Sequence, residues 1–215
     1  MVQKNNIKGF LFAIFGSIGW AISGVCSQYL FTEYTIDADW LTAIRMLFSG
    51  IILLILAFTK ARAKVFHIWK SRRDVLWLLA FALIGLLMCQ YTFLAAIQHS
   101  NSATTTVLQS LNVVIMAIVM AVWGKTKMKA SQILAVALAV IGTYMVATKG
   151  NPTNMSLSPL GLMFGLISAV GVVTYTLLSR PILTFWGNST VTSWGMLIGG
   201  LVLFLAVKAG SCLLI

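Results

Sequence analysis

The chain has 215 residues, 60% of them hydrophobic and only 9% charged, with a mean hydropathy of +0.96 and a formal net charge of +11. Soluble domains carry roughly a quarter charged residues, so this composition excludes a soluble globular protein and calls for an all-α integral membrane protein. The charge alone would admit a nucleic-acid binder, and its distribution along the chain decides against that.

A hydrocarbon core about 30 Å thick takes about 20 residues of helix at 1.5 Å each, and seven apolar runs meet that length. The first, Gly9–Leu30, is longer than the 7 to 15 apolar residues or so of a signal peptide and lacks a small-residue cleavage site, so it is expected to stay in the membrane. Gly16, Gly19, Ser23 and Ser27 form a small-residue stripe along it, read as a helix contact, with Trp20 near mid-depth. The second span, Trp40–Phe58, carries Arg45 about 7 Å from its outer end. That guanidinium has two readings: it snorkels to lipid phosphate or to Asp37 and Asp39, or it anchors a substrate carboxylate.

The third span, Val75–Gln98, contains Gln90 and Tyr91 and ends beside His99, read as a solvated loop residue. Trp20 and Tyr91 are aromatic faces suited to an amino-acid or cationic ligand. In the fourth, Ser102–Trp123, the residues Ser102, Thr105, Gln109, Asn112 and Met116 step by three or four and share one face. Gln109 counts to about 10 Å and Asn112 to about 15 Å below the outer surface, with Gln90 level with Gln109. Hydroxyls on such a stripe can bond carbonyls of their own helix. Gln90, Gln109 and Asn112 are harder to satisfy locally, and they are candidates for the polar wall of a cavity. The fifth span is Ala130–Ala147, the sixth Leu160–Arg180 and the seventh Thr190–Val207, with Gly195 and Gly199 as a GxxxG contact. Cys26, Cys89 and Cys212 have no disulfide or zinc spacing and read as small apolar residues, so no metal or cofactor is expected.

If the spans alternate, twelve basic residues fall on one side: Lys4, Lys8, Lys60, Arg62, Lys64, Lys70, Arg72, Arg73, Lys125, Lys127, Lys129 and Arg180. Lys149 and Lys208 fall on the other with Glu33, Asp37 and Asp39. That asymmetry sets the N-terminus in the cytoplasm and the C-terminus outside. The charge then orients the protein and meets anionic lipid, and nucleic acid is not a partner.

The chain also resembles itself. A shift of 152 positions lays "GFLFAIFGSIGWAISGVCSQ" over "GLMFGLISAVGVVTYTLLSR", pairing Gly9 with Gly161 and Gly19 with Gly171. A shift of 150 then lays "RMLFSGIILLIL" over "GMLIGGLVLFLA", pairing Leu47 with Leu197 and Gly50 with Gly200. The first two spans thus repeat as the sixth and seventh. A five-span unit is odd, so its second copy is inverted in the membrane, an architecture recurrent in transporters with a mid-depth site.

The succession "GWAISGVCSQYLF", "WLTAIRMLFSGIILL", "QYTFLAAIQHSNSATTTVLQSLNVV" and "ASQILAVALAVIGTYMV" resembles the EamA family of the drug/metabolite transporter superfamily over essentially the whole chain. The resemblance implies two inverted repeats of five spans, moving amino acids, nucleotide-related compounds or other small metabolites. It implies a cavity lined by the first, third and fourth spans and their counterparts. On that basis residues 1–149 form the first repeat and 150–215 the first two helices of an incomplete second one. Three features depart from the family pattern. Members often carry Pro in the middle of the fourth span, where this chain has Asn112 and Val113, and many carry an acid after it, where this chain has Lys125. The sequence ends at "KAGSCLLI" after seven spans, so the counterparts of the third to fifth are expected to be missing.

No span contains Asp or Glu, HExxH and GxSxG are absent, and Lys208 lies at a span end, which removes carboxylate proton relays, intramembrane hydrolysis and retinal binding. The sequence therefore reads as a non-enzymatic transporter of the cell membrane. Its expected substrate is an amino acid or related polar solute, moved by alternating access and bound by Trp20, Arg45, Gln90, Tyr91, Gln109 and Asn112. The alternative is a truncated, transport-inactive homologue acting at most as a membrane interaction protein. With counterpart spans missing, the polar stripe must be closed inward, be covered by a second copy in a homodimer, or line a wetted groove. The groove, lined by the first, third, fourth and sixth spans with Gln90, Gln109 and Asn112 facing one concavity beside Trp20, is the expectation.

Overall fold

A computed structural model of the chain describes residues 3–34, 36–124, 130–148 and 158–213. Lys125, Lys127, Lys129, Lys149 and the expected boundary between repeats at 149/150 lie outside that set. Among the described residues the chain is helical, without strands: α1 (Gln3–Glu33), α2 (Ala38–Ala61), a 3₁₀ helix (Arg62–Lys70), α3 (Arg72–His99), α4 (Ser102–Trp123), α5 (Ala130–Thr148), α6 (Pro159–Trp186) and α7 (Asn188–Leu213). All but α5 are long and apolar enough to cross a membrane; the apolar part of α5, Gln132–Val146, is shorter. Helices are what a bilayer permits, because they satisfy their backbone groups internally.

Side chains set the helix starts. Asn101 accepts from Thr104 N at 2.8 Å to open α4, and Ser158 accepts from Gly161 N at 3.0 Å to open α6, with Pro159 in its first turn. Two spans depart from regular winding. Residues Phe81–Leu87 of α3 wind as a π-helix, and α4 breaks at Leu111, between Ser110 and Asn112. The break falls where family members often carry proline, and here Asn112 stabilises it by donating to Gln109 O at 2.7 Å. The sixth helix runs through Pro181 to Trp186 rather than stopping near Arg180. What stops it is Gly187, whose φ of 75° suits glycine and whose N–H bonds Leu183 O at 3.0 Å.

The repeat is visible in the contact between α2 and α7. A Cβ added at Gly50 would lie 2.9 Å from Leu197 Cγ, and one added at Gly200 would lie 3.0 Å from Leu47 Cγ. Each glycine meets the repeat mate of the other's partner, which is the exchange a two-fold axis makes. Moving three residues along α2 moves the contact three residues backwards along α7, so the helices are antiparallel and the axis lies in the membrane plane. The GxxxG expectation holds here too: Gly195 meets the Phe81 ring, and Gly199 meets Met46 and Ala82 O.

The first span breaks this symmetry. Gly171 on α6 seats against Cys89, with a notional Cβ 2.9 Å from its Cα, while its mate Gly19 on α1 meets nothing within 4 Å. Gly16 is equally open, so the small-residue stripe is a helix contact only in its second half: Ser23 accepts from Arg45, Ser27 is buried, and the adjacent Gly24 lies against Ser102. Among the described residues α6 packs closely on α3, whereas the α1 face that carries Gly16 and Gly19 is left uncovered.

Candidate substrate cavity

A cavity of about 530 Å³ lies among α1, α3, α4, α6 and α7. Its inner end is walled by Trp20, Gln90, Gln109 and Asn112, and it runs past Tyr175 and Ser179 to Leu183, Asn188 and Thr192 at the α6–α7 corner. That corner belongs to the basic side, because Trp186 Nε1 bonds Asp74 at the start of α3 at 3.1 Å and Trp194 Nε1 bonds Val65 O at 3.0 Å.

The opposite end is closed. Gln28 Oε1 accepts from Ser102 N at 2.8 Å and Gln98 Oε1 from Ala38 N at 3.3 Å, while Ser158 Oγ donates to His99 O at 2.7 Å. These bonds tie α1 to α4, α2 to α3 and α3 to α6 at the acidic ends. Beneath them Leu108 presses against Gly165, where a Cβ would lie 2.7 Å from its Cδ1. Phe93, Leu94 and Ile97 are buried in the same plug.

Local winding places the polar side chains. Gly85, within the π-wound turns, approaches Tyr175 so closely that a Cβ would lie 2.7 Å from its Cα. The close approach of α3 and α6 brings Cys89 and Gln109 onto Ser168. Gln109 Nε2 donates to Ser168 Oγ at 2.8 Å, Ser168 Oγ donates to Cys89 O at 3.3 Å, and Gln109 Nε2 also reaches Cys89 Sγ at 3.7 Å. This buried knot links α3, α4 and α6, so Cys89 is not the inert apolar filler its spacing suggested.

Arg45 turns inward rather than snorkelling. Its Nη2 donates to Gln90 Oε1 at 2.7 Å, its Nη1 to Ser23 Oγ at 3.3 Å, and its Cζ lies 5.7 Å from the Trp20 ring centroid, within cation–π range. Asp37 and Asp39 form no ion pair with it, and among the described residues no carboxylate does. A guanidinium carries five N–H groups, and only two of these are engaged. The cation therefore sits directly behind Gln90 and Trp20, which form the cavity wall.

Of the six residues proposed from sequence, Trp20, Gln90, Gln109 and Asn112 meet at one concavity and Arg45 lies behind them. Tyr91 does not join them. One residue on from Gln90 is about 100° around the helix, and its ring packs edge-on against Phe164 at 6.4 Å with its hydroxyl directed to Asp39. Many Ser and Thr hydroxyls bond carbonyls three or four residues back on their own helix, as Ser27, Thr42 and Thr106 do. Sequence reading expected the sixth span at the groove but named none of its residues, and it missed the seventh: α6 contributes Tyr175, Thr176 and Ser179 to the wall, with Ser168 buried behind Gln109, and α7 contributes Asn188 and Thr192. Ser168, Val172, Tyr175 and Ser179 continue steps of three or four from Gly161 and Gly165, a periodicity that could have revealed this face.

Inverted helices around a mid-depth cavity, mostly apolar with a few polar side chains at its inner end, define a multi-pass helical membrane protein with a solute-sized compartment. The chain belongs to the EamA-like transporter family, whose sequence pattern matches residues 7–148. It is similar to YicL of Salmonella typhimurium, named an uncharacterized inner membrane transporter, with 38% identity over 196 residues, 91% of this chain and 65% of that protein. The chain thus spans about two thirds of that relative's length. No solved structure matches it.

Proposed function

We propose that the protein moves a small polar metabolite, an amino acid or related zwitterion, by alternating access, and that the state described here faces the cytoplasm. The observation that carries this reading is Arg45. A cation at a helix centre costs about 2.5 to 3.5 kcal/mol on insertion scales, an upper bound for Arg45 nearer the outer end, and hydrogen bonds to charged groups return about 1.5 to 3 kcal/mol each. Gln90 and Ser23 thus keep the cation folded inward but leave its charge uncompensated. A substrate carboxylate supplies the missing charge, Trp20 and Tyr175 supply apolar walls, and Gln109 and Asn112 add polar groups. The open end at Asn188 and Thr192 and the sealed end at Gln28 and Gln98 support an inward-facing state.

The bare face of α1 favours a second reading, in which these 215 residues are transport-inactive by themselves. Uptake and efflux of a radiolabelled amino-acid panel in proteoliposomes, beside protein-free vesicles, separates the two. Transport of an amino acid, abolished in Arg45→Gln while the corresponding decarboxylated amine is refused by both proteins, is the expected outcome. Flux equal to that of empty vesicles for every solute would overturn the transport reading. Equal flux of acid and amine would overturn the role of Arg45.

A further inference from the structure

The segment "RAKVFHIWK" between α2 and α3 is a 3₁₀ helix of nine residues, long for a form that usually lasts three or four. With three residues per turn, side chains at i and i+3 eclipse, so the segment divides into three stripes. Val65 and Ile68 are buried. Phe66 and Trp69 form an exposed aromatic stripe, held edge-on against Trp194 at 5.7 and 5.2 Å. Lys64, His67 and Lys70 form the third, basic and turned outward.

The bond from Trp194 Nε1 to Val65 O fixes this segment to α7. A second cavity, of about 410 Å³, lies between its basic stripe and the α6–α7 corner, lined by Lys64, His67, Phe185, Trp186 and Thr190. Asp74, the nearby acid, already accepts from Trp186 Nε1, and among the described residues neither Lys64 nor His67 has an acidic partner.

We propose that this cavity is a binding site for the phosphodiester headgroup of an anionic phospholipid on the cytoplasmic leaflet. Lys64 and His67 line one wall, where a phosphate can be met by an ammonium and an imidazole N–H. The other wall is apolar, formed by Trp186 and by Phe185, which is 83% exposed. A free phosphate would use only the first wall; a lipid uses both, with its glycerol and acyl chains along Phe185 and Trp186. Aromatic side chains collect at this depth of the bilayer, and basic pockets between helices on the cytoplasmic side suit anionic headgroups. The site is separate from the substrate cavity, and its 3₁₀ helix joins the two-fold-related α2 to α3.

The test is native mass spectrometry of the purified full chain, exchanged into micelles containing equal phosphatidylglycerol and phosphatidylcholine of matched acyl chains. The wild type should retain phosphatidylglycerol in preference, with affinity falling about fivefold in Lys64→Gln and further in Lys64→Gln/His67→Gln, which approaches parity between the lipids. Arg73→Gln, a charge loss on the same face in a different groove, should retain the preference. Lys64→Gln alone, at an exposed position, carries the same test if the double variant does not fold. Equal retention of both lipids by the wild type, an unchanged double variant, or an equal loss in Arg73→Gln overturns the proposal. Displacement of the retained lipid by inorganic phosphate at millimolar concentration overturns it as well, by assigning the site to free phosphate.

Discussion

Gly171 and Gly19 occupy equivalent places in the two repeats, and adding one methyl group to each should have opposite effects. At Gly171 the new Cβ would lie 2.9 Å from both the Cα and the Cβ of Cys89 and 3.1 Å from its backbone N. Ordinary contact begins near 3.4 Å, so α6 must move several tenths of an ångström away from α3. Backbone, rather than a flexible side-chain tip, is what stands in the way. Overpacking of this kind costs about 1 to 3 kcal/mol, while alanine gains roughly 0.5 to 1 kcal/mol over glycine within a helix. Gly171→Ala should therefore destabilise by about 1 to 2 kcal/mol. The displacement would also loosen the Cys89, Gln109 and Ser168 knot. At Gly19 the methyl meets nothing within 4 Å, so only the helix term remains, and Gly19→Ala should stabilise by roughly 0.5 kcal/mol. Reversible unfolding by SDS in lipid–detergent bicelles, followed by tryptophan fluorescence, gives both values. Equal destabilisation by the two substitutions would refute the reasoning, since it would mean that α1 is as closely covered as α6; a neutral Gly171→Ala would refute the α3–α6 contact.

Two further outcomes follow from the cavity. In a variant without its native cysteines, Thr192→Cys should react with a membrane-impermeant thiol reagent applied from the cytoplasmic side, and Leu108→Cys, sealed beneath the outer plug, should resist it from the periplasmic side. Gln109→Leu should lower substrate affinity in proteoliposome uptake while reducing stability by only about 1 kcal/mol, because Ser168 keeps its bond to Cys89 O.

Much of this protein is written in one-dimensional order. Apolar run lengths determined that it is a helical membrane protein, because span length is fixed by bilayer thickness and helical rise. The self-match at shifts of 152 and 150 announced the inversion, since an odd number of spans reverses the second copy. The stripe on α4 was legible because helical periodicity holds within any one helix, and so Gln109 and Asn112 could be placed on the same face from sequence.

What a residue meets across a helix interface depends on distance and rotation between helices, and these no single span encodes. Gly19 and Gly171 occupy matching positions in the repeat, yet among the described residues only Gly171 lies against another helix, because contact depends on where neighbouring helices stand. Gln90 and Tyr91 are neighbours in sequence but point about 100° apart, so only the assembled bundle assigned the first to the cavity and the second to its outer packing. Arg45 could have snorkelled towards Asp37 and Asp39 by its own reach. The tertiary structure turned it inward, because Ser23, Gln90 and Trp20, drawn from two other helices, together offer the acceptors and the ring that hold a guanidinium there.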